Sequence, residues 1–227
     1  MSKYLVEVKN LKKVFEHKNG KIKIFHDVNL GIKPGELVAL VGPSGSGKSS
    51  FLHLLSLLDK PTAGKIYFLG KDSKNFSENR KDEIRRRNIS LIFQDNNLLS
   101  DFTTIENVLM PLIIRGESYK SSHNKAKNIL RRVNLLERRN HFPSELSGGE
   151  QQRVAIARSI IAETDLILAD EPTGNLDFKT SQDIFSYFLK LKKLKKAVIF
   201  ATHNRELAKK ADYKLSIYNG NIKRVND

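Results

Sequence analysis

The sequence contains no cysteine among its 227 residues and no long hydrophobic run. Without cysteine the chain has no disulfide framework, no thiolate metal site and no cysteine nucleophile, which fits a reducing compartment such as the cytosol. No apolar run approaches the roughly 18 residues that a transmembrane helix needs. The segment Met1–Val8 lacks the apolar region and cleavage pattern of a secretion signal. We therefore expect a chain that neither spans a membrane nor carries a secretion signal.

Basic residues outnumber acidic ones by 40 to 25, which gives a net charge of +15. Such an excess is typical of a surface that attracts nucleic acid or anionic lipid headgroups, or of a solvated lysine-rich surface. The basic residues form short pairs and triplets in helical stretches, without the interleaved aromatics of a base-stacking platform. These groups are Arg85–Arg87, Arg131–Arg132, Arg138–Arg139, Lys192–Lys193 and Lys195–Lys196. Their scatter favours a solvated surface, with a polyanion site as the alternative.

The most tightly spaced motif in the chain matches G-x-x-x-x-G-K-[ST] at every fixed position. It reads Gly42-Pro43-Ser44-Gly45-Ser46-Gly47-Lys48-Ser49. The apolar run Glu36–Val41 predicts a buried strand before the motif, and Ser49–Leu58 predicts a helix after it. Strand, glycine loop and helix together are the arrangement of a phosphate-binding loop.

The chemistry of this loop follows from its glycines and from the helix behind it. The glycines let backbone N–H groups point inward as a nest, and the helix N-terminus adds partial positive charge. Lys48 is placed to reach the β- and γ-phosphates of a nucleotide, while the Ser49 hydroxyl is placed to bind a bridging Mg²⁺. Ser50 is the less favoured magnesium ligand. The alternative is a Gly/Ser-rich turn that only precedes a core helix.

The remaining segments indicate a mixed α/β organisation with no internal repeat and no disordered linker. Alternating apolar and polar residues near the N-terminus and after Gly64 predict a β-rich layer. Continuous apolar runs predict strands at Ile89–Phe93, Leu166–Ala169 and Ala197–Ala201. Helical spacing occurs at Ile105–Ile114, Ser122–Val133 and Glu150–Ile161, and Asp177–Leu194 predicts a crossover helix. Asn219-Gly220 predicts a terminal hairpin.

A second glycine-containing helix start lies at Ser147-Gly148-Gly149-Glu150. It has the same physics as the first loop on a smaller scale and can bind another phosphate. Alone, the motif is equally consistent with Ser147 as an N-cap and Glu150 as a favourable acid in the first turn.

Two acids, Asp170 and Glu171, follow the predicted strand at 166–169. Ligands gather at the carboxyl ends of parallel strands, so we expect Asp170 to hold magnesium, directly or through water. Glu171 is placed to orient or deprotonate the water that attacks the γ-phosphate. The alternative is an acidic turn before Pro172. His203 follows another strand end, where its imidazole can hydrogen-bond the γ-phosphate, although a lone histidine is more often structural or solvated.

With these motifs in this order, together with Gln94 and Gly174–Asp177, the chain resembles the nucleotide-binding subunits of ABC transporters over essentially its full length. The resemblance implies an α/β fold: a P-loop NTPase core with a parallel sheet, an N-terminal antiparallel β-layer and an inserted α-helical subdomain. We assign residues 1–94 and 162–227 to the core and 95–161 to the helical subdomain of one domain. ATP and Mg²⁺ are the implied ligands, and ATP hydrolysis is the implied activity.

The resemblance also implies a head-to-tail homodimer. In it, the Gly42–Ser49 loop of one subunit and Ser147, Gly148, Gly149 and Glu150 of the other enclose each ATP. Gln94 then ligates magnesium and links the site to a membrane partner, and Asp177 lies in the loop that crosses the dimer. Phe15 is our choice for the aromatic residue that stacks on adenine; it can equally be a core residue of the first β-layer.

The connecting segments narrow the resemblance to one branch of the family. They resemble the ATPases of lipoprotein-releasing complexes, in which two copies energise integral-membrane permease subunits from the cytoplasmic face of the bacterial inner membrane. The segments are Phe51–Leu55, Leu58–Thr62, Asn97–Thr103, Glu106–Leu112, Pro143–Gly149 and Ala169–Asp177. ATPases of the MacB exporter type and the FtsE cell-division type share much of this text. The run Asp95-Asn96-Asn97 departs from the aromatic or histidine residues expected after Gln94.

A soluble ABC ATPase acting on DNA or ribosomes is the remaining alternative, motivated by the charge of +15. Such proteins usually carry coiled-coil arms, zinc modules or a second cassette, which this sequence lacks. We therefore expect no nucleic-acid partner, and a peripheral association with the membrane through the permease.

Overall fold

The computed structural model describes residues 3–17, 20–174 and 176–225, and it contains two sheets. The first is a four-stranded antiparallel sheet in the order β2-β1-β4-β5. Its strands are β1 (Val6–His17), β2 (Gly20–Ile32), β4 (Ala63–Phe68) and β5 (Lys71–Asp72). This sheet is the β-layer that the alternating N-terminal pattern predicts.

The second sheet has six strands in the order β10-β9-β3-β8-β7-β6. Five are parallel, and β10 pairs antiparallel to β9 as a hairpin. They are β3 (Leu37–Val41), β6 (Ile89–Ile92), β7 (Leu166–Asp170), β8 (Ala197–Ala201), β9 (Tyr213–Tyr218) and β10 (Asn221–Val225). Every residue of β7 and β8 is buried, because the sheet is covered on both faces.

Helices surround this second sheet. They are α1 (Lys48–Leu55), α2 (Glu78–Asn88), α3 (Thr104–Ile114), α4 (Tyr119–Arg132), α5 (Gly148–Ile161), α6 (Phe178–Lys193) and the single turn α7 (Arg205–Ala208). Helix α1 ends three residues before the predicted Leu58, because Leu57 adopts φ 59°. Helix α2 lacks apolar periodicity: Ile84 is its single aliphatic residue, and Ser77 caps its start.

Three apolar clusters hold these layers together. The first lies between the β-layer and one face of the parallel sheet, where Phe25 meets Phe51 of α1 edge-on at 5.7 Å. The second covers the opposite face with α5 and α6, including Phe185 and Phe200. The third joins α3, α4 and α5 around Val108 and contains no strand residue. Among the described residues, no helix has the length and apolar content needed to cross a membrane.

Candidate active site

The loop between β3 and α1 has the geometry of a phosphate nest. Gly45 and Gly47 adopt φ 75° and 100°, in the region that favours glycine, and Gly47 forms the N-cap of α1. A Cβ on Gly47 would lie 2.5 Å from Cγ2 of Ile24 and 3.1 Å from Cζ of Phe25. The β-layer therefore packs closely against this loop, and it leaves no room for a side chain at position 47. The predicted order of strand, glycine loop and helix is present.

Lys48 folds back over the loop. Its Nζ donates to the carbonyl oxygens of Gly42 at 3.1 Å and Pro43 at 3.2 Å. The same nitrogen lies 3.2 Å from Nε2 of His203. Lys48 is buried at 8% exposure, so its charge is held close to the loop and shielded from solvent. The three contacts concentrate positive charge where phosphate oxygens are expected.

Glu171 and His203 face each other across the ends of β7 and β8. The His203 backbone N–H donates to Oε2 of Glu171 at 3.3 Å, and the His203 Nε2 lies 3.2 Å from Oε1. Burial raises the pKa of Glu171, while His203 and Lys48 oppose that rise. A raised pKa makes the carboxylate a stronger base, which suits the predicted task of activating water.

Nε2 of the His203 imidazole lies close to both Lys48 and Glu171. When Nε2 is unprotonated it accepts from Lys48. Its 3.2 Å approach to Oε1 of Glu171 is a charge contact when the imidazole is protonated, and Oε1 has no hydrogen-bond partner among the described residues. The side chain is 57% exposed, so it can turn toward a ligand without leaving a core position. The contact with Lys48 is absent from the sequence-based prediction, because residues 155 positions apart carry no local pattern that pairs them.

These groups line one cavity of about 310 Å³ at the carboxyl edge of the parallel sheet. Its walls contain Ser44, Gly45, Gly47, Lys48, Ser49, Ser50, Gln94, Asp170, Glu171, His203 and Ile24. The cavity lies at that edge because β3, β8, β7 and β6 are adjacent and parallel. Gly42, Pro43 and Ser46 complete the loop behind this surface. Ile24 of β2 is an additional wall that the motifs do not identify; its only sequence signal is the alternation of its strand.

The oxygen donors of the cavity fit a magnesium ion. Ser49, Gln94 and Asp170 offer hydroxyl, amide and carboxylate oxygens, the donor types that Mg²⁺ prefers. Within the described ranges, no group of three or more His, Cys, Asp or Glu side chains forms a metal cluster. A single carboxylate with neutral oxygens suits an ion that keeps water and phosphate in its remaining positions.

Ser147 and Glu150 form a capping box at the start of α5. The Ser147 backbone N–H donates to Oε2 of Glu150 at 2.9 Å, and the Glu150 N–H donates to Oγ of Ser147 at 3.3 Å. Hydrogen bonding to Ser147 lowers the pKa of Glu150. A Cβ on Gly148 would meet no heavy atom of the described residues within 4 Å. The fold of a single chain therefore gives no steric reason for glycine at position 148.

The structure does not bring Ser147–Glu150, called the signature segment below, into the cavity formed by its own chain. Ser147, Gly148, Gly149 and Glu150 are absent from the walls of the 310 Å³ cavity, and so are Asp177 and Phe15. Their proposed roles at the nucleotide remain predictions.

Asp177 and Phe15 occupy defined places in the fold. Asp177 is the N-cap of α6 and accepts from the Thr180 backbone N–H at 2.9 Å. Asn175, in the segment before it, lies outside the described residues. Phe15 lies on β1, is 41% exposed, and has Lys13 Nζ 4.6 Å from its ring centroid. At this exposure Phe15 is not a buried core residue of the β-layer, and its stacking on adenine remains a prediction.

The backbone conformation at positions 96 and 97 favours asparagine. Asn96 and Asn97 adopt φ 60° and 44°, and asparagine tolerates this left-handed region better than most residues. The Asn96 N–H donates to the Phe93 carbonyl at 3.2 Å, which closes a turn around Gln94 and Asp95. The departure in sequence noted above therefore coincides with a tight turn that presents an exposed Gln94.

Comparisons with known proteins agree with this geometry. The family model described as "ABC transporter" matches residues 25–174. The chain belongs to the ABC transporter family. Among characterised members, it is 46% identical over 218 residues to the lipoprotein-releasing system ATP-binding protein LolD of Rickettsia bellii (strain RML369-C), covering 95% of this chain and 96% of that protein. The LolD of Wigglesworthia glossinidia brevipalpis is 45% identical, with coverage of 98% and 97%.

Solved members of the family share the fold. A dimeric ATP-binding cassette in a post-hydrolysis state, bound to ADP and Pi, superposes with a TM-score of 0.92 at 37% identity. The match covers 96% of this chain and 97% of that one. A second dimeric structure, of a bacterial ABC transporter cassette, gives the same values. The predicted P-loop core with its antiparallel β-layer is thus confirmed as an ABC ATPase fold.

Proposed function

We propose that the chain is the ATP-binding and ATP-hydrolysing subunit of an ABC transporter that releases lipoproteins from the bacterial inner membrane toward the outer membrane. The observation that carries the ATPase activity is the cavity in which Lys48, Asp170, Glu171 and His203 meet. The near-full-length identity to LolD proteins supports lipoprotein release as the work that this ATPase drives.

In the proposed reaction, the phosphate loop binds and orients the nucleotide. Gly42–Ser49 offers inward N–H groups and the N-terminus of α1 to the phosphates. Lys48 exchanges its bonds to the Gly42 and Pro43 carbonyls for bonds to phosphate oxygens, which are charge-assisted and stronger. The interaction with His203 breaks in the same movement, so binding frees the imidazole for the γ-phosphate.

Hydrolysis then depends on Glu171 and His203. Glu171 lies at the edge of the cavity with a raised pKa, and in our proposal its carboxylate takes a proton from the attacking water. His203 hydrogen-bonds the γ-phosphate and holds Glu171 through its backbone N–H. In-line attack at phosphorus needs positioning and charge neutralisation more than covalent catalysis.

Ser49, Gln94 and Asp170 are the residues that would hold Mg²⁺. When bound, the ion neutralises charge on the β- and γ-phosphates. Asp170 is buried at 8% exposure, so its side chain is held in place by packing against neighbouring strands. Gln94 is exposed on its turn, so its position depends on how that turn is held.

A head-to-tail homodimer supplies what one chain lacks. Gly148 has open space around it, which leaves room for a phosphate of a nucleotide bound to the other subunit. The N-terminus of α5 then adds charge stabilisation opposite the P-loop. The two solved structures that resemble this chain are dimeric cassettes, which supports this arrangement. Asp177 and Phe15 retain their proposed roles in the dimer loop and at adenine.

We also propose how the chain divides its work. Residues 1–94 and 162–227 form the ATPase core, and residues 95–161 form the helical subdomain, in which α3 and α4 pack on α5 in one apolar cluster while Ala155 and Ile156 of α5 also pack with the core. The partners are integral-membrane permease subunits similar to LolC and LolE. They hold the chain as a peripheral protein at the cytoplasmic face of the inner membrane.

Reconstitution tests this function. Proteoliposomes containing the LolC- and LolE-like permease subunits and a triacylated lipoprotein are incubated with the chain, a soluble acceptor protein that can hold the acyl chains, and either ATP or ADP. We expect lipoprotein in the soluble fraction with ATP alone, and co-purification of the permease with the chain. ATP hydrolysis by the complex without lipoprotein release would overturn the assigned cargo. Failure of the permease to co-purify would overturn the transporter assignment.

A further inference from the structure

Arg158, near the end of α5, reaches across to the turn that follows Gln94. Its Nη1 donates to the Asn97 carbonyl and its Nη2 to the Asn96 carbonyl, both at 2.9 Å. The planar guanidinium thus binds two consecutive carbonyls, an arrangement that the single ammonium of lysine cannot reproduce. The acceptors belong to the two residues in left-handed conformation, so the bonds hold the least favourable part of the turn.

The environment of Arg158 indicates a specific purpose for these bonds. Desolvation by burial lowers its pKa, which means that the surroundings disfavour its charge. In the described part of the chain, no carboxylate lies within ion-pair distance of Arg158, and its guanidinium hydrogen-bonds the two carbonyls. A partly buried cation paired only with carbonyls is costly for stability alone.

The rest of the turn is clamped from the other side by Asn107 of α3. Its side-chain amide donates to the Leu99, Phe102 and Thr103 carbonyls, and its Oδ1 accepts from the Leu99 N–H at 2.8 Å. Asn107 is fully buried. Residues 96–103 are therefore fixed to helices of the 95–161 region, while Gln94 and Asp95 remain exposed.

Helix α5 connects two parts of the proposed site. It begins at Gly148, where the other subunit's nucleotide is proposed to bind, and Arg158 lies about 15 Å further along the helix axis. A helix of this length moves as a rigid body, so a shift of its N-terminus carries the guanidinium with it. The two carbonyls and the turn that presents Gln94 must follow or lose both hydrogen bonds.

We infer that Arg158 is a positioning residue that couples the placement of α5 to the placement of Gln94 at the nucleotide site. The inference rests on the proposed function. It adds that Gln94 is held in its ligand position by the helix whose start contacts the second nucleotide. Arg158 itself touches no reacting atom.

The first test measures the turn directly, without nucleotide. Because the chain has no cysteine, Asp95→Cys provides a single site for a nitroxide spin label on the exposed turn. We expect a restricted label in the parent chain and a clearly more mobile one after Arg158→Met. Arg158→Lys keeps one hydrogen bond and should give intermediate mobility. If Arg158→Met fails to fold, Arg158→Lys alone decides: mobility equal to the parent overturns the inference.

Arg115 provides the matched control. Its Nε donates to the Arg86 carbonyl at 2.9 Å at the end of α2, and burial lowers its pKa as it does that of Arg158. Arg115→Met removes a similar carbonyl-bound guanidinium away from Gln94. The label at position 95 should keep its restricted spectrum in this variant. Equal mobilisation by both variants would reduce Arg158 to a general structural role.

The second test is a double-mutant cycle with Gln94→Ala, read as kcat of the full chain. Arg158→Met should lower kcat about tenfold in the parent, a typical size for one coupling interaction. In the Gln94→Ala background the same substitution should change kcat little, because Arg158 acts through Gln94. Additive losses would overturn the inference. Absence of ATP hydrolysis by the parent would instead contradict the proposed function, and the spin-label result would stand separately.

Discussion

At the scale of single residues, Lys48 and His203 lie close to each other and both act on the charge of Glu171. Lys48 and His203 both oppose the burial that raises the pKa of Glu171. In the proposed reaction, the movement of Lys48 to phosphate changes one of the charges that act on Glu171. The proposed reaction therefore links nucleotide binding to the base through Lys48.

Replacing Glu171 by glutamine should separate binding from hydrolysis. Glu171→Gln keeps the side-chain size and an oxygen acceptor for the His203 N–H, but it removes the base. We expect ATP affinity to stay within about twofold, kcat to fall by at least about 100-fold, and an ATP-bound dimer to accumulate. Steady-state turnover and size-exclusion chromatography with ATP measure both effects. Glu163→Gln, at an exposed turn residue, is the control. Normal turnover in Glu171→Gln would remove this residue from its role.

At the scale of elements, the start of α3 decides how the helical region joins the core. The Thr103 backbone N–H and hydroxyl both donate to Oε2 of Glu106, at 2.8 and 2.6 Å. The side-chain bond and then the backbone bond from Thr103 lower the pKa of Glu106 below its ordinary value. This cap fixes the helix that carries Asn107, and Asn107 in turn fixes the loop after Gln94.

The depressed pKa of Glu106 gives a stability effect of known sign. A carboxylate with a lowered folded-state pKa contributes stability above its unfolded value of 4.5, and that contribution is lost as pH falls through the folded value. Glu106→Gln should therefore cost about 0.5 kcal/mol at pH 7, because solvent screens much of the charge effect, or about 1–2 °C in Tm.

Thermal unfolding at two pH values checks this. The difference between Glu106→Gln and the parent should shrink toward zero at a pH below the folded-state pKa. Glu16→Gln, which alters an exposed pair with Lys21, should leave Tm unchanged at both values. A difference that stays constant with pH would show that the charge of Glu106 is not the source of the effect.

At the scale of the whole molecule, the proposed head-to-tail dimer would make each site from two chains. In that proposal, the P-loop with Glu171 comes from one subunit, and Ser147–Gly149 comes from the other. A variant with a damaged P-loop and one with a damaged signature segment should therefore complement each other, since one site of their mixed dimer contains only intact parts.

We predict that Lys48→Ala and Gly148→Asp are each inactive and that their mixture regains ATP turnover. Lys48→Ala removes a direct phosphate contact, and Gly148→Asp places a charged side chain where the second phosphate contact is proposed. Mixing monomers before adding ATP and following phosphate release measures the recovery. Lys48→Ala mixed with Glu171→Gln is the control. Both substitutions damage the half-site that contains the P-loop and Glu171, so each of the two sites in the mixed dimer has one defect. Equal recovery in both mixtures, or none in either, would contradict a shared site.

The local sequence determines the features that depend on neighbouring residues, namely the glycine loop and the buried strands. The glycines of Gly42–Ser49 allow a nest between strand and helix, because Gly45 and Gly47 adopt positive φ, which glycine reaches without strain. The continuous apolar runs at 166–169 and 197–201 predict strands covered on both faces, and all of their residues are buried. Since parallel strands end at one edge, the meeting of Asp170 with His203 also follows from the pattern.

Tertiary structure alone decided the contacts between distant segments. Three examples depend on strand order and helix packing, which no short-range sequence period encodes. They are the contact of Lys48 with His203, the closeness of Ile24 to Gly47, and the hydrogen bond from Arg158 to Asn96. Helix α2 likewise forms without an apolar stripe, since Ile84 is its single aliphatic residue. Sequence specifies each piece through backbone geometry and burial. Which pieces face one another is decided by the packing of the three apolar clusters, whose members come from distant parts of the chain.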